Sequence, residues 1–489
     1  MKMSSIKRNF IYNSIYQILV MLIPLLTTPY VARVLGSEGI GRYSYSYSVA
    51  YYFVMFAMLG LNNYGNRTIA TVREDKTERS KAFFSIYYMQ LFTSAVMIVL
   101  YIFYVFLFCE DRVLGLIMLL YVCSSALDIN WLFFGLEKFK ITVVRNTIVK
   151  LITVLCVFLF VKTRSDVYIY AGIYAGGMFV SQTILWSRVK KYVHRVPVTI
   201  GDVIQHIKPN LILFVPVVAV SLYKYMDKIM LGAMTSKTEV GYYESCERII
   251  NIPLGLINSL GVVMLPRISN LMASKQIDTN KKYLSKSIAF VMFLSSSMSF
   301  GIMAVSKEFV PLFYGPGFEK CIVIFQVLLP SCLFLAFANV IRTQYLIPKR
   351  KDNIYILSVI SGALVNIVIN ALLIPRYQSV GAAAGTVCAE AAVCVIQSVF
   401  VRNELPIGKY IKSALLFIFA GMAMYVIIGC FIRLESTVGA LFIKIVAGVF
   451  VYLVFIIPYV FMNKELKSWV KAALDKNRLF QKFLNRASR

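Results

Sequence analysis

A chain of 489 residues that is 59% hydrophobic and 15% charged carries more apolar surface than a water-soluble domain buries. This excludes the ordinary globular classes and points to a polytopic membrane protein. The formal net charge of +28 would suit a nucleic-acid binder, but Lys and Arg fall in short clusters between apolar runs, the pattern of loops on the positive side of a membrane.

The first apolar run, Phe10 to Val31, is too long for a signal-peptide core and lacks a small-x-small cleavage site, so it is expected to remain as a span. Runs of about 20 apolar residues predict an all-α protein with about fourteen transmembrane helices. The first six lie at roughly 9–33, 45–70, 83–108, 113–135, 141–161 and 167–187. Six more lie at roughly 210–233, 243–266, 287–311, 321–346, 354–374 and 380–400, followed by 413–432 and 439–461. Basic residues crowd the N-terminus, the even-to-odd loops and the tail, which places both termini in the cytoplasm. In the tail, Leu466, Trp469, Val470, Ala473 and Leu474 share one face, as in an amphipathic helix lying along the inner leaflet. The nine cysteines form no CxxC pair and read as small buried hydrophobes, with Cys109 and Cys321 nearest the outer face.

A repeat is visible. VLG at 34–36 and IGRY at 40–43 are echoed by MLG at 230–232 and VGYY at 240–243. The matches Leu35/Leu231 and Gly41/Gly241 are about 200 residues and six spans apart, so the two halves share one orientation. The plan is two pseudo-symmetric six-helix lobes, 1–200 and 201–405, then two further helices within 406–461 and the basic tail 462–489. Pro24, Pro29, Pro216 and Pro253 interrupt spans in both halves, where freed backbone groups must face protein or water.

The hairpin of the seventh and eighth spans concentrates the intramembrane charge. Lys224, Asp227 and Lys228 fall at i, i+3 and i+4 on one face, and Glu244, Glu247 and Arg248 open the next helix. An unpaired charge deep in a span costs about 2.5–3.5 kcal/mol on insertion scales, so this hairpin is expected to line a polar cavity. Arg33 and Lys150 are further cationic candidates, and Asp128, Asp227 and Glu244 are candidates for ion coupling or for pairing with the cations. Each has a plainer alternative: Lys224 paired with Asp227, Arg248 paired with Glu244, Arg33 snorkelling, and Arg67, Arg145 and Arg342 as positive-side determinants. Tyr43, Tyr45, Tyr47, Tyr51 and Tyr52, with Tyr12, Tyr16 and Tyr30, read either as an interfacial belt or as platforms for sugar rings. No GxxxxGK[ST] loop occurs, and His194 and His206 have no second ligand at metal spacing, so neither a nucleotide nor a metal cofactor is expected.

The segments TPYVARVLG (28–36), GIGRYS (39–44), DINWLFFGLEKF (128–139), YKYMDKIMLG (223–232), GYYE (241–244) and VMLPRIS (263–269), in this order, resemble Wzx-type polysaccharide flippases. That family belongs to the multidrug/oligosaccharidyl-lipid/polysaccharide flippase superfamily, together with MATE antiporters and the lipid II flippase. The resemblance implies a transporter rather than an enzyme, located in the bacterial cytoplasmic membrane. It would carry an undecaprenyl-pyrophosphate-linked oligosaccharide by alternating access for capsule, O-antigen or exopolysaccharide synthesis, beside a polysaccharide polymerase and glycosyltransferases. Arg33, Lys150, Lys224, Lys228 and Arg248 would then meet the pyrophosphate and sugar, with H+ or Na+ as coupling ion. The alternatives are a lipid II flippase, a cation-coupled MATE-type antiporter and, less favoured because the outer loops are short turns, a membrane glycosyltransferase or polymerase.

Overall fold

The computed structural model describes residues 5–273, 277–431 and 437–462, and every regular element among these described residues is a helix. Helix α1 (Ser5–Met58) joins two helices at Gly36, whose φ of 67° lies in the left-handed region that glycine enters without steric cost. A second break comes at Leu59, φ 49°, so the second expected span is interrupted and ends as the short α2 (Leu61–Thr71). Helix α3 (Lys76–Leu107) starts where the Asp75 carboxylate accepts the backbone N–H of Thr77 at 2.7 Å and of Glu78 at 3.1 Å. Helix α4 (Arg112–Leu127), capped by Asp111, gives way at Asp128 to α5 (Asn130–Gly135). Then follow α6 (Phe139–Phe160), α7 (Val167–Val189) and the short α8 (Ile200–Ile204), opened by a Thr199–Asp202 capping box.

The charged hairpin is α9 (Ile207–Met234) and α10 (Lys237–Ala273). After α11 (Ile277–Tyr314) and α12 (Lys320–Leu328), α13 (Ser331–Ile341) continues into a π-helical turn, Arg342–Leu346. Helix α14 (Asp352–Val401) takes up the eleventh and twelfth expected spans and is parted at Gln378, φ 54°. Helices α15 (Ile407–Val426) and α16 (Val438–Met462) complete the described chain. Among the described residues, nine stretches are long and apolar enough to cross a membrane by length and composition. Large apolar side chains such as Phe92 and Leu107 on α3 and Phe442 and Phe450 on α16 are exposed, as suits faces that meet lipid. The amphipathic tail helix expected from the sequence lies outside the described residues, as do the side chains of Tyr12 and Tyr16. The eight described cysteines are free thiols, and Cys388 is exposed, unlike the buried hydrophobe it was expected to be.

The described residues fall into two compact units. One comprises the chain up to Ile249 with Tyr314–Ile324 and Val359–Ala389. It has a core in which Trp131, Phe83, Ile86 and Leu185 are fully enclosed, and Gln90 Oε1 accepts the indole N–H of Trp131 at 3.0 Å. The other comprises Ile250–Phe313, Phe325–Ser358 and the chain from Glu390. There Lys444 on α16 donates to Glu308 on α11 at 2.7 Å, with both side chains buried.

Within the first unit, α1 and α10 meet at the two glycines that the repeat matches. A Cβ on Gly41 would stand 1.6 Å from the Lys237 carbonyl oxygen, and one on Gly241 would stand 1.8 Å from that of Ser37. The contact is reciprocal: each helix lays its glycine on the carbonyl four residues upstream in the other, so residue 37 answers to 237 and 41 to 241. In that register the Leu35/Leu231 match is out by about one helical turn.

Candidate functional site: the charged hairpin of α9 and α10

Four of the ionisable groups on the hairpin form one knot. Lys228 Nζ lies 2.7 Å from Glu244 Oε2 and 2.7 Å from Glu247 Oε2, and Arg248 Nε donates to Glu244 Oε1 at 2.7 Å. Two cations thus face two carboxylates, so the knot carries no net formal charge. The spacing explains the geometry, since Glu244 and Arg248 are one turn apart on α10 and Lys228 reaches across from α9. Ser44 on α1 donates to Glu244 at 3.0 Å, and the Lys228 ammonium sits 5.5 Å from the centroid of the Tyr225 ring. The side chain of Lys228 is 8% exposed and that of Glu244 13%. Such a cluster holds together because each charge compensates the desolvation of its neighbours.

Asp227, one residue before Lys228, turns to a different environment. Its Oδ2 accepts from Tyr243 OH at 2.7 Å and from Thr386 Oγ1 at 2.8 Å, while Oδ1 accepts from Asn370 Nδ2 at 2.6 Å. Asn366, one turn before Asn370 on α14, accepts from the same Nδ2 at 3.2 Å. Asp227, Asn366 and Asn370 are buried, and Asn370 Oδ1 meets no hydrogen-bond donor among the described residues. The nest is therefore one carboxylate accepting from two hydroxyls and an amide N–H, all oxygen and amide chemistry that suits a proton or a hard monovalent cation and is poor for a transition metal. Among the described residues no group of three or more His, Cys, Asp or Glu could hold a metal ion.

The tyrosines of α1 complete the surroundings. Tyr43, Tyr47 and Tyr51 follow at four-residue intervals and pack inward: Tyr43 edge-on to Tyr170 at 4.8 Å, Tyr47 stacked on Tyr121 at 5.1 Å, and Tyr51 on Tyr225 at 3.9 Å. They form an aromatic column beside the ion knot, packed against the rings of neighbouring helices. Tyr45 stands apart, under the Lys237 ammonium at 3.6 Å from its ring centroid.

Of the residues singled out from sequence, Lys228, Arg248 and Glu244 come together, joined by Glu247. Lys224 is exposed, 5.4 Å from the Tyr225 ring centroid, and Lys150 is partly buried on α6. Neither has a carboxylate partner among the described residues. Arg33 is exposed on α1 and lies against Gly315. Asp128 lies elsewhere, at the break between α4 and α5, where it accepts from the backbone and side-chain amides of Asn130 at 3.0 and 2.7 Å. Arg145, read as a positive-side determinant, is buried in the same network and donates to Asn130 at 2.8 Å and Gln182 at 3.1 Å. Sequence reasoning missed Asn366, Asn370 and Thr386. Two Asn one turn apart in an apolar run were the available signal.

A family model described as "Polysaccharide biosynthesis protein" matches residues 6–272. Over 405 residues the chain is 24% identical to a protein of Escherichia coli (strain K12) named as an O-antigen transporter, covering 82% of this chain and 97% of that protein. A shorter stretch of 185 residues is 22% identical to a Haloferax volcanii protein named as a low-salt glycan biosynthesis flippase, covering 38% of this chain and 39% of that one. In fold the chain is similar to a solved structure of the lipid II flippase MurJ in an inward closed conformation, with TM-score 0.73 and 16% identity over 92% of this chain and 99% of that one.

Proposed function

The chain belongs to the polysaccharide biosynthesis protein family, and on that footing we propose that it is a flippase for lipid-linked oligosaccharide, a transporter and not an enzyme. The cargo is an undecaprenyl-pyrophosphate-linked repeat unit, moved from the cytoplasmic to the outer leaflet of the bacterial cytoplasmic membrane with both chain termini in the cytoplasm. The two six-helix lobes at 1–200 and 201–405 open by turns to either side, and a polysaccharide polymerase and glycosyltransferases act beside it. Similarity to a named O-antigen transporter along nearly the whole of that protein supports this reading. Likeness to the lipid II flippase is one of fold at 16% identity, so that cargo is the less favoured alternative.

The observation that carries the proposal is the buried hairpin knot. A diphosphate entering a membrane needs fixed cations. Lys228 and Arg248 are kept charged and in place by Glu244 and Glu247, and an arriving diphosphate competes with those carboxylates for them. Lys150 and Lys224 are cations without such competition. Asp227, held apart from the cations in its own nest, is the coupling site, binding Na+ or H+ in one half of the cycle. Depleting the protein in cells and labelling the lipid-linked sugar leaflet by leaflet tests the reading: synthesis should continue while outer-leaflet sugar is lost. Unchanged outer-leaflet labelling would dispose of it.

A further inference from the structure

The second unit holds an apolar cleft that the proposed transport does not use. Its volume is about 440 Å³, and it lies among α11, α13, α14 and α15, lined by side chains such as Met292, Phe337, Cys394 and Ile418. A cavity of this size takes one small apolar ligand or a single chain.

Its depth identifies the kind of chain. The lining runs along α14 from Cys394 to Arg402 and along α15 from Ile407 to Ile418. At the helical rise of about 1.5 Å per residue these stretches cover about 12 and 16 Å. Half of a bilayer's hydrocarbon core, about 30 Å thick, is about 15 Å. Arg402 stands where α14 ends and α15 is about to begin, so the cleft starts at the level of lipid headgroups and stops near the midplane. It is one leaflet deep.

The charge at its mouth selects the headgroup. Arg402 is exposed and has no carboxylate partner among the described residues. Nearby in sequence, Glu404 is held by Lys349 at 2.8 Å and also by Lys351, two cations on one carboxylate. Lys409 and Lys412 are exposed on the first turns of α15. A phosphate is the complementary group at such an edge.

We propose that this cleft binds an anionic phospholipid of the leaflet on the Arg402 side, with one acyl chain in the cleft and the phosphate on Arg402. A polyprenyl cargo tail is much longer than a cleft one leaflet deep. Bound lipid wedges α13, α14 and α15 together, so the second unit is stabilised in proportion to the anionic lipid present. The inference rests on the chain being a membrane protein and is independent of the cargo assigned above.

The test uses the purified full-length protein in detergent, titrated with phosphatidylglycerol or phosphatidylcholine and read by native mass spectrometry. Phosphatidylglycerol should bind about fivefold more tightly, the worth of one basic contact at a membrane surface. Arg402→Gln should reduce that preference to parity while leaving chain binding intact. Ile411→Trp, at an exposed lining position, should fill the cleft and remove binding of both lipids. Phosphatidylglycerol with a photoreactive acyl chain should label the segments 394–402 and 407–418. Equal binding of the two lipids, an unchanged preference in Arg402→Gln, or labelling elsewhere would overturn the proposal, as would displacement by a polyprenyl diphosphate and not by phosphatidylglycerol. Because binding and not transport is read, failure here leaves the flippase reading untouched, and failure of that reading leaves this one standing.

Discussion

Lys228 is a buried lysine clasped by two carboxylates, so removing it strands Glu247 and leaves Glu244 to Arg248 alone. Lys228→Met should lower stability by about 3 kcal/mol, the scale for breaking a buried pair, and thermal unfolding in detergent would read it. Lys444→Leu alone should be similarly harmful because it strands Glu308, whereas Lys444→Leu with Glu308→Leu should recover most of the loss. At the Asp227 nest, Asp227→Asn keeps the size of the side chain and removes its charge, so the protein should still fold while transport loses its dependence on Na+ or pH. Retained dependence in that variant would remove the coupling role. Outside the spans, Lys349 and then Lys351 hold the Glu404 carboxyl down from its ordinary 4.5 to about 2. A carboxyl depressed in the folded state stabilises fully above its unfolded value and loses that contribution as pH falls from about 4.5 toward 2. Wild type and Glu404→Gln should therefore differ in unfolding midpoint at neutral pH and converge below pH 2. The Glu244–Arg248 pair was legible in sequence because spacing along one helix face is a local property, whereas Lys224, expected on the face of Lys228, is exposed and stands outside the knot. The partners of Asp227 were not, because Asn370 and Thr386 lie 143 and 159 residues away and no periodicity connects them.

The spans are the readable elements, since an apolar run of bilayer length has few other fates. The breaks are less readable. Leu59 interrupts an apolar run with only Gly60 beside it as a sign, and Asp128 ends α4 through a side-chain turn on Asn130 that composition does not reveal. The clearest agreement between sequence and structure is the glycine pair, matched as a repeat and found as a reciprocal crossing of α1 and α10. A side chain at either glycine must push the opposing backbone away, at a cost of about 1–3 kcal/mol for overpacking. Gly41→Ala and Gly241→Ala should each lower the unfolding midpoint. Combined, they should cost less than the sum, because both relieve the same contact by separating the same two helices. Strict additivity would mean that the two glycines act apart.

For the whole molecule, the helical membrane fold followed from hydropathy, and the likeness to the lipid II flippase extends along 92% of the chain. The proposed mechanism depends on something narrower: that the buried cations Lys228 and Arg248, held by their carboxylates, meet the anionic headgroup. The most direct measurement is translocation in vesicles containing only this protein and a fluorescent short-sugar polyprenyl diphosphate, with an impermeant quencher added outside. The account predicts that the quenchable fraction rises with protein, and that Lys228→Met and Arg248→Met abolish the rise in vesicles where the folded protein is still present. Quenching no faster than in protein-free vesicles, or full activity in both variants, would contradict it.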